Sequence, residues 1–523
     1  MPENSNTIIE DALYLMANGG YEKVHTDAIS MIHADVNNPL PYFLLAKLCF
    51  DHKNYAKAQE LFEKSLTLDP DNLYARVYFA QMLTQTGNHE GARDMLELAA
   101  ALNTSSAHLA DTVGVVYSRI GHHDRAIDWF EKAVSLDPKP ANYHYNLAAS
   151  LQFLGEFDRA GVCYENTLAR TPNAYRALSA LVSLKKQTRA NNKIDILHRC
   201  FQTMHEDADA DAKLYLGHAL AKTYEDLGEY ETSFSWLEKA KADKCQLSPT
   251  FDYSATFAAA KQTIDLPPNN TPKLTVSKRT PIFVVGLPRT GTTLVDRIIS
   301  SHPDVVSCGE LNTFANLIKQ TTKTDSNLVL DAETLDATKR IDLTQIGEQY
   351  LRATQALCGE QPFSIDKMPL NFFYVAIILK ALPNARVIVL RRGAMDSCLS
   401  NYRQLLTTEH NYYDYTYSLT STAKFYSAFD NLMCHWQDNL PPERFMQIQY
   451  EDIVHDQQNQ TQKLLNFCQL DWDEACMRFH ENTAPVSTAS SVQVRQPLYA
   501  NSIGRWRRYG TLLNGLSHDL SEL

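Results

Sequence analysis

The 523-residue chain lacks several things, and each absence removes a class of protein. It has no apolar run of ~18 residues, the length a helix needs to cross a bilayer. Its opening stretch, MPENSNTIIEDALYLMANGG, is acidic and carries no basic n-region, so it does not read as a secretory signal. It has no surplus of positive charge. With 49 Lys and Arg against 61 Asp and Glu, the formal net charge is −12, which argues against a general nucleic-acid binder. Its ten cysteines include no C-x-x-C pair and no metal-ligand spacing, and they read as reduced thiols packed as small apolar side chains. What is present is core material: 44% hydrophobic and 10% aromatic residues, enough for two to four domains at ~100–200 residues each. The expectation is a cytoplasmic chain without a membrane span, in which a local basic pocket is still allowed.

The first half repeats. Gly87, Gly121 and Gly155 are 34 residues apart, as are Ala58, Ala92, Ala126 and Ala160. Pro70, Pro138 and Pro172 fall on the same lattice, with Thr104 in the remaining position. Around them runs one local pattern, as in LCFDHKNYAKAQELFEKSLTLDP and VYSRIGHHDRAIDWFEKAVSLDP. A glycine or polar break ends one helix, a small alanine lets the next pack closely, an aromatic (Phe62, Phe130, Tyr164) fills the gap, and proline stops the pair. The pattern resembles the tetratricopeptide repeat. Four repeats span about 38–172, a fifth lies out of phase at about 213–246, and residues 5–37 and 173–212 read as degenerate helical pairs. Such stacks hold a peptide or protein partner in a concave groove. The alternative is that the repeats only scaffold the second half or join it into a homodimer.

DLPPNNTPKLTVSKRTP (265–281) has no periodicity and reads as a boundary. The domains expected are therefore 1–246 helical, 247–280 connecting, and 281–523 of a different kind. Beyond the boundary, short apolar runs alternate with amphipathic stretches. IFVVG (282–286), VVSCGE, PFSIDK (362–367), ARVIVLRR (385–392) and RFMQIQYEDIV (444–454) read as strands. TTLVDRIISSH (292–302), PLNFFYVAIILKAL and DSCLSNYRQLL read as the helices between them. That alternation implies a parallel, doubly wound sheet with ligands at the carboxyl ends of its strands.

The chemistry-bearing residues fall at those ends. Gly286-Leu-Pro-Arg-Thr-Gly291-Thr292-Thr293 has the spacing of a phosphate-binding loop, but Thr292 stands where the nucleotide hydrolases have lysine. Glycines let the backbone wrap an anion, the helix start directs N–H groups at it, and the positive charge has moved to Arg289. Glu310 in SCGEL follows Arg289 by 21 residues, placing it beside the same pocket if the next strand intervenes. Lys367 in DKMP ends another strand, and Arg392 with Ser400 eight residues on could clamp a second phosphate. From Asn482 to His518 there is no Asp or Glu, while Arg495, Arg505, Arg507 and Arg508 occur, a basic stretch suited to an anion. Two separated phosphate-like groups and no metal are implied, and Mg-nucleotide hydrolysis is disfavoured.

Together, GLPRTGTT, CGE, DKMP, R-x7-S and QVRQPLYANSIGRW resemble sulfotransferases that use 3′-phosphoadenosine 5′-phosphosulfate (PAPS). The chain is most similar to bacterial proteins that join tetratricopeptide repeats to a sulfotransferase domain, and that domain resembles tyrosylprotein sulfotransferase. The resemblance implies an α-helical tetratricopeptide-repeat solenoid followed by an α/β, P-loop-like sulfotransferase domain with a parallel sheet. It implies that Arg289, Thr290, Gly291, Thr292 and Thr293 hold the 5′-phosphosulfate, and Arg392 and Ser400 the 3′-phosphate. Tyr450 would lie near the adenosine, with Ser490 and Arg505 also on the cofactor and Ser490 among the catalytic group. Glu310 would be the general base and Lys367 the leaving-group stabiliser, with PAP as product. Cytosolic small-molecule enzymes carry a histidine base two residues after this lysine. Here Pro369 occupies that position, which favours Glu310 and a protein tyrosine acceptor presented by the repeats. Against that branch, the expectation includes neither the membrane anchor nor the secretory setting of the animal enzymes. A small-molecule or glycan acceptor is the rival within the class; a P-loop kinase or an inactive interaction protein is the rival outside it.

Overall fold

A computed structural model describes residues 3–100, 104–204, 209–247, 252–266, 279–355, 357–408, 411–486 and 492–522. Most of the expected boundary (267–278), and Ser490 with the Ser491 that adjoins it and could take its place, lie outside the described residues. The chain divides into two compact units, Met1–Leu154 and Gly155–Leu523.

The first unit is a series of helical pairs, among them Pro39–Asp51 with Tyr55–Leu68 and Ala107–Arg119 with His123–Leu136. The 34-residue lattice is its packing diagram. Ala58, Ala92 and Ala126 are fully buried, as is Phe62, whose ring stacks on Phe79 at 5.5 Å. Gly114 faces Phe130 so closely that a Cβ would come within 2.6 Å of its ring, so the two helices can touch only through glycine. Gly87 and Gly121 sit at φ +80° and +86°, the left-handed position that closes a helix before a turn.

The division falls inside the run of helices rather than at the proline-rich boundary. Helices Phe157–Arg170, Tyr175–Leu184, Ile194–Gln202, Ala210–Asp226 and Tyr230–Leu247 belong to the second unit. Ala221, Phe234 and Leu237 share one apolar cluster with Leu399, Tyr402, Tyr509 and Leu513, from helices and turns that surround the sheet. Packing, not repeat phase, decides which unit they join.

The sheet is five-stranded and parallel: β1 (Thr280–Gly286), β2 (Val305–Ser307), β3 (Phe363–Asp366), β4 (Arg386–Arg391) and β5 (Phe445–Gln449), in the order β2-β3-β1-β4-β5. Alternation along the strands makes two faces. Phe283, Val285, Val387, Val389 and Phe445 pack with Phe314, Phe372 and Trp436 on one side. Ile282, Val284, Ile388, Leu390 and Ile448 pack with Val295, Ile298 and Leu464 on the other. With both faces covered, the strands read as continuous apolar runs. Two elements differ from expectation. RFMQIQYEDIV is strand only to Gln449, and Tyr450–His455 is a short helix. PLNFFYVAIILKAL opens as 3-10 turns over Pro369–Tyr374 and becomes α-helical only at Val375–Ala381. The aromatic segment HNYYDYTYS (410–418) forms a 3-10 run over Asn411–Tyr417, in which the buried Tyr415 stacks on Phe425 at 3.8 Å. Its first residue, His410, lies outside the described residues.

Candidate functional site

Each strand of the sheet delivers one expected site residue just past its carboxyl end: Arg289 after β1, Glu310 after β2, Lys367 after β3, Arg392 after β4 and Tyr450 after β5. A parallel sheet brings such ends to one edge, with the central β1 between β3 and β4.

The loop after β1 is built on backbone that other residues resist. Gly286 has φ +147°, and a Cβ there would meet the Leu390 carbonyl oxygen at 2.7 Å. Gly291 has φ +111° and lies against Tyr450, where a Cβ would approach the ring to 2.7 Å. Arg289 itself is left-handed at φ +65°. No side chain caps the start of the following helix, Thr292–Ser300. Thr290 is buried with its hydroxyl donating to the Leu287 carbonyl at 2.7 Å, so it braces the loop from within. Asn401 Nδ2 donates to the Pro288 carbonyl at 2.8 Å and holds the loop from the β4 side.

Beside the loop is a cleft of about 110 Å³. It is lined by Arg289, Gly291 and Thr293 from the loop, Arg392, Ser400 and Arg403 from β4 and its helix, Tyr450, and Gln493, Tyr499, Ser502 and Arg505 from the tail. Seven expected cofactor residues are thereby brought together. Thr290 and Thr292 are buried behind the lining, and Glu310 and Lys367 stand outside it.

Arg392 organises this cleft. It is buried, Nη1 donates to the Arg289 carbonyl at 3.0 Å, Nη2 donates to the Ser502 carbonyl, and the guanidinium stacks on Tyr450 at 5.0 Å. Its Nε is buried with no hydrogen-bond partner. Tyr450 Oη and Ser502 Oγ are 2.6 Å apart, and Arg289 Nη2 donates to Gln493 Oε1 at 2.7 Å. Burial, with Arg403, Arg392 and Arg505 close by, pulls the Arg289 pKa down to about 10. The tail is folded onto the cleft by Asp396, which accepts from the backbone N–H groups of Gly504 and Trp506.

Lys367 Nζ, almost wholly buried, donates to Glu310 Oε1, while the Glu310 side chain is 38% exposed. Backbone bonds set the pair in place: Cys308 N donates to the Ile365 carbonyl and Lys367 N to the Gly309 carbonyl, both at 2.8 Å. Two further carboxyls lie behind. Asp296, on the helix that follows the loop, is buried with Oδ1 lacking a hydrogen-bond partner; burial raises its pKa against the pull of Lys367 and Arg297. Asp366 accepts from Tyr350 Oη at 3.0 Å, and burial raises its pKa to about 7. Among the described residues no group of three or more His, Cys, Asp or Glu is placed to hold a metal, and no helix is long and apolar enough to cross a membrane.

Arg403, Gln493, Tyr499 and Ser502 were not expected. Arg403 had a signal, since it stands three residues after Ser400 and so on the same helical face. The other three lie in QVRQPLYANSIGRW, a motif of the resemblance in which no role is given to them.

A parallel sheet with a glycine loop, convergent arginines and a carboxylate–ammonium pair at its carboxyl edge defines an α/β domain of the phosphate-loop kind. Comparison with known proteins is more particular. The sulfotransferase family matches residues 281–474, and the tetratricopeptide repeat matches residues 50–112 and 109–140. The chain therefore joins tetratricopeptide repeats to a sulfotransferase domain. It is 30% identical over 319 residues to an uncharacterized protein of Aquifex aeolicus, covering 58% of this chain and 41% of that one. It is 24% identical over 243 residues to protein-tyrosine sulfotransferase 1 of Danio rerio, covering 43% and 65%. With the protein-tyrosine sulfotransferase of Drosophila melanogaster it shares 23% over 253 residues, covering 46% and 49%. The chain thus spans less than two thirds of each of these relatives. Among solved structures, the type IV pilus biogenesis factor PilW aligns at a TM-score of 0.32 and 20% identity, over 39% of this chain and 91% of its own.

Proposed function

We propose that the protein is a PAPS-dependent sulfotransferase whose acceptor is a hydroxyl, specifically a tyrosine of a protein or peptide. The observation that carries the reading is the convergence of Arg289, Gly291, Thr293, Arg392, Ser400, Tyr450 and Arg505 on one cleft from five separate segments. The residues fit a ligand with two anionic groups. The absence of a Cβ at Gly291 lets the Tyr450 ring close against the loop, and the buried Arg392 Nε has a donor to spare.

Arg289 with the 290–293 loop would hold the phosphosulfate, and Arg392 with Ser400 the 3′-phosphate; Tyr450 and Arg505 would complete the nucleotide site. Bound there, PAPS supplies the activated sulfuryl group. The chain's own contribution is placement and charge, because sulfuryl transfer, like phosphoryl transfer, asks little covalent work of the protein. Glu310 takes the proton of the acceptor hydroxyl, and as a weaker base than a phenolate it does so late, once that proton has become acidic. Lys367 has three donors, so it can hold Glu310 and still meet negative charge growing on the leaving oxygen. Ser490 is expected beside this group.

The acceptor partner is a protein or peptide recruited by the repeats. In the first unit a groove of about 600 Å³ is lined by Tyr21, Lys47, Phe50, Tyr78, Gln81 and His108, a mix of rings and polar groups suited to an extended chain. No metal is needed, and the site is cytoplasmic in this reading.

Incubation with 35S-labelled PAPS and a cell lysate tests the function. Label is expected in protein as tyrosine sulfate. Label confined to glycan or small molecules would replace the acceptor assignment, and a thermal shift with MgATP but none with PAP would overturn the donor.

A further inference from the structure

Behind the cleft stands one more charged group, and it comes from the helical pairs. Glu225, in the last turn of helix Ala210–Asp226, ion-pairs through Oε2 with Arg403 Nη2, and its Oε1 lies 3.8 Å from Arg505 Nε. Arg403 and Arg505 both line the cleft; Glu225 does not. Its side chain is only 10% exposed. Burial raises its pKa, but the attraction of Arg403 and Arg505 more than offsets that, so it is held below the usual carboxylate range.

The placement is enforced by packing. Ala221, Phe234 and Leu237 share a core with Leu399, Tyr402, Tyr509 and Leu513. Phe234 meets the Tyr402 ring at 6.0 Å and the Tyr509 ring at 6.2 Å. The helix carrying Ser400 and Arg403 and the tail segment carrying Arg505 are therefore clamped to the helical pair that carries Glu225.

Arg289, Arg392, Arg403 and Arg505 gather around the same small volume. Like charges so close repel, and long side chains free to do so turn outward to water. A buried carboxylate behind two of them removes that option. It takes one edge of the Arg403 fork and holds the guanidinium at the cleft that Arg403 lines.

We infer that Glu225 is a positioning residue of the nucleotide site, by which the last helical pair fixes Arg403 and Arg505 against the ligand's 3′-phosphate. The inference rests on the proposed function, since it takes the ligand of the cleft to be PAP or PAPS. Ser400, expected at the 3′-phosphate, lies one helical turn before Arg403, which places the clamped arginine at that end of the ligand. The helical pair then serves the donor site directly, in addition to any recruitment of acceptor by the first unit.

The test compares PAP with adenosine 5′-monophosphate, which lacks the 3′-phosphate, by calorimetry on the full chain. Glu225→Gln keeps the reach of the side chain and removes its charge. The expected result is about a tenfold loss of the PAP preference, through weaker PAP binding with the monophosphate unchanged. KM for PAPS should rise by about the same factor while KM for the acceptor stays fixed. Parallel weakening of both nucleotides, or an unaltered preference, would overturn the inference. If the glutamine variant does not fold, Glu225→Asp keeps the charge and shortens the reach. It should lose about threefold in preference, and an aspartate variant with the full wild-type preference would also overturn the inference. A wild-type chain that binds PAP no better than the monophosphate overturns the proposed function itself, and this inference with it.

Discussion

Two charged groups stand at the carboxyl edge of one sheet, and they are balanced in opposite ways. In the cleft, Arg289, Arg392, Arg403 and Arg505 gather, with Glu225 the carboxylate that salt-bridges to two of them. Beside β2 and β3, a single buried lysine, Lys367, faces Glu310, with Asp296 and Asp366 close behind. Excess charge of one sign is an arrangement for holding an anion, since its own repulsion is relieved only when the ligand arrives. Near-balanced charge suits a group that passes a proton and returns to its starting state. In the proposed function the difference separates binding from chemistry across neighbouring strand ends, and each side can be broken alone.

The largest effect is expected on the balanced side. Glu310→Ala should lower kcat by about 10²–10⁴, the range for loss of a general base, while the PAP dissociation constant stays within about twofold of wild type. Steady-state kinetics and calorimetry on the same preparation check both halves. Near-normal turnover would remove Glu310 from the base role, and a matching loss of PAP binding would show that the two groups are not separable.

The arginine side should respond in reverse. Arg392→Ala removes the guanidinium that touches the loop, the tail and Tyr450, so PAP affinity should fall about 100-fold, or ~2.8 kcal/mol at 1.4 kcal/mol per decade. At saturating PAPS, kcat should recover to within about tenfold. Failure of kcat to recover would mean that Arg392 also shapes the reacting end of the site.

Legibility in the sequence follows the same division. The loop, Glu310, Lys367 and Arg392 could be read because each stands at or just past the end of an apolar run, and a parallel sheet converts that local mark into a shared edge; Tyr450, placed inside an expected strand, came from the resemblance alone. The 34-residue lattice was readable for a related reason: every repeat solves the same packing problem with the same alanine and aromatic. Arg403 with Glu225 could not be read, because 178 residues separate the partners and no local pattern encodes their meeting. The tail contacts of Arg289 with Gln493, 204 residues apart, are of the same kind. The unit boundary at 154 was hidden too, since the helices after it keep repeat periodicity while packing into the second unit.

The smallest effect sharpens the balanced side without touching the reaction. Asp366 is buried behind Lys367, and its pKa is raised from an ordinary 3.8 to about 7. Between those values the folded chain holds the proton more often than the unfolded chain does. Stability contributed by the protonated carboxyl is therefore full below about pH 4 and declines as pH rises toward 7, at no more than ~1.4 kcal/mol per pH unit. Asp366→Asn abolishes the titration while its side-chain carbonyl still accepts from Tyr350. The stability of the variant relative to wild type should then increase by about 1 kcal/mol between pH 5.5 and 6.5, and level off above about pH 7. Urea unfolding of both chains across that range gives the answer. A difference that stays constant with pH would mean that Asp366 is already ionised in the folded chain, with Lys367 as its counter-charge. In that case the ammonium would be shared between two carboxylates, and the group beside β3 would carry more negative charge than the proton-passing arrangement allows.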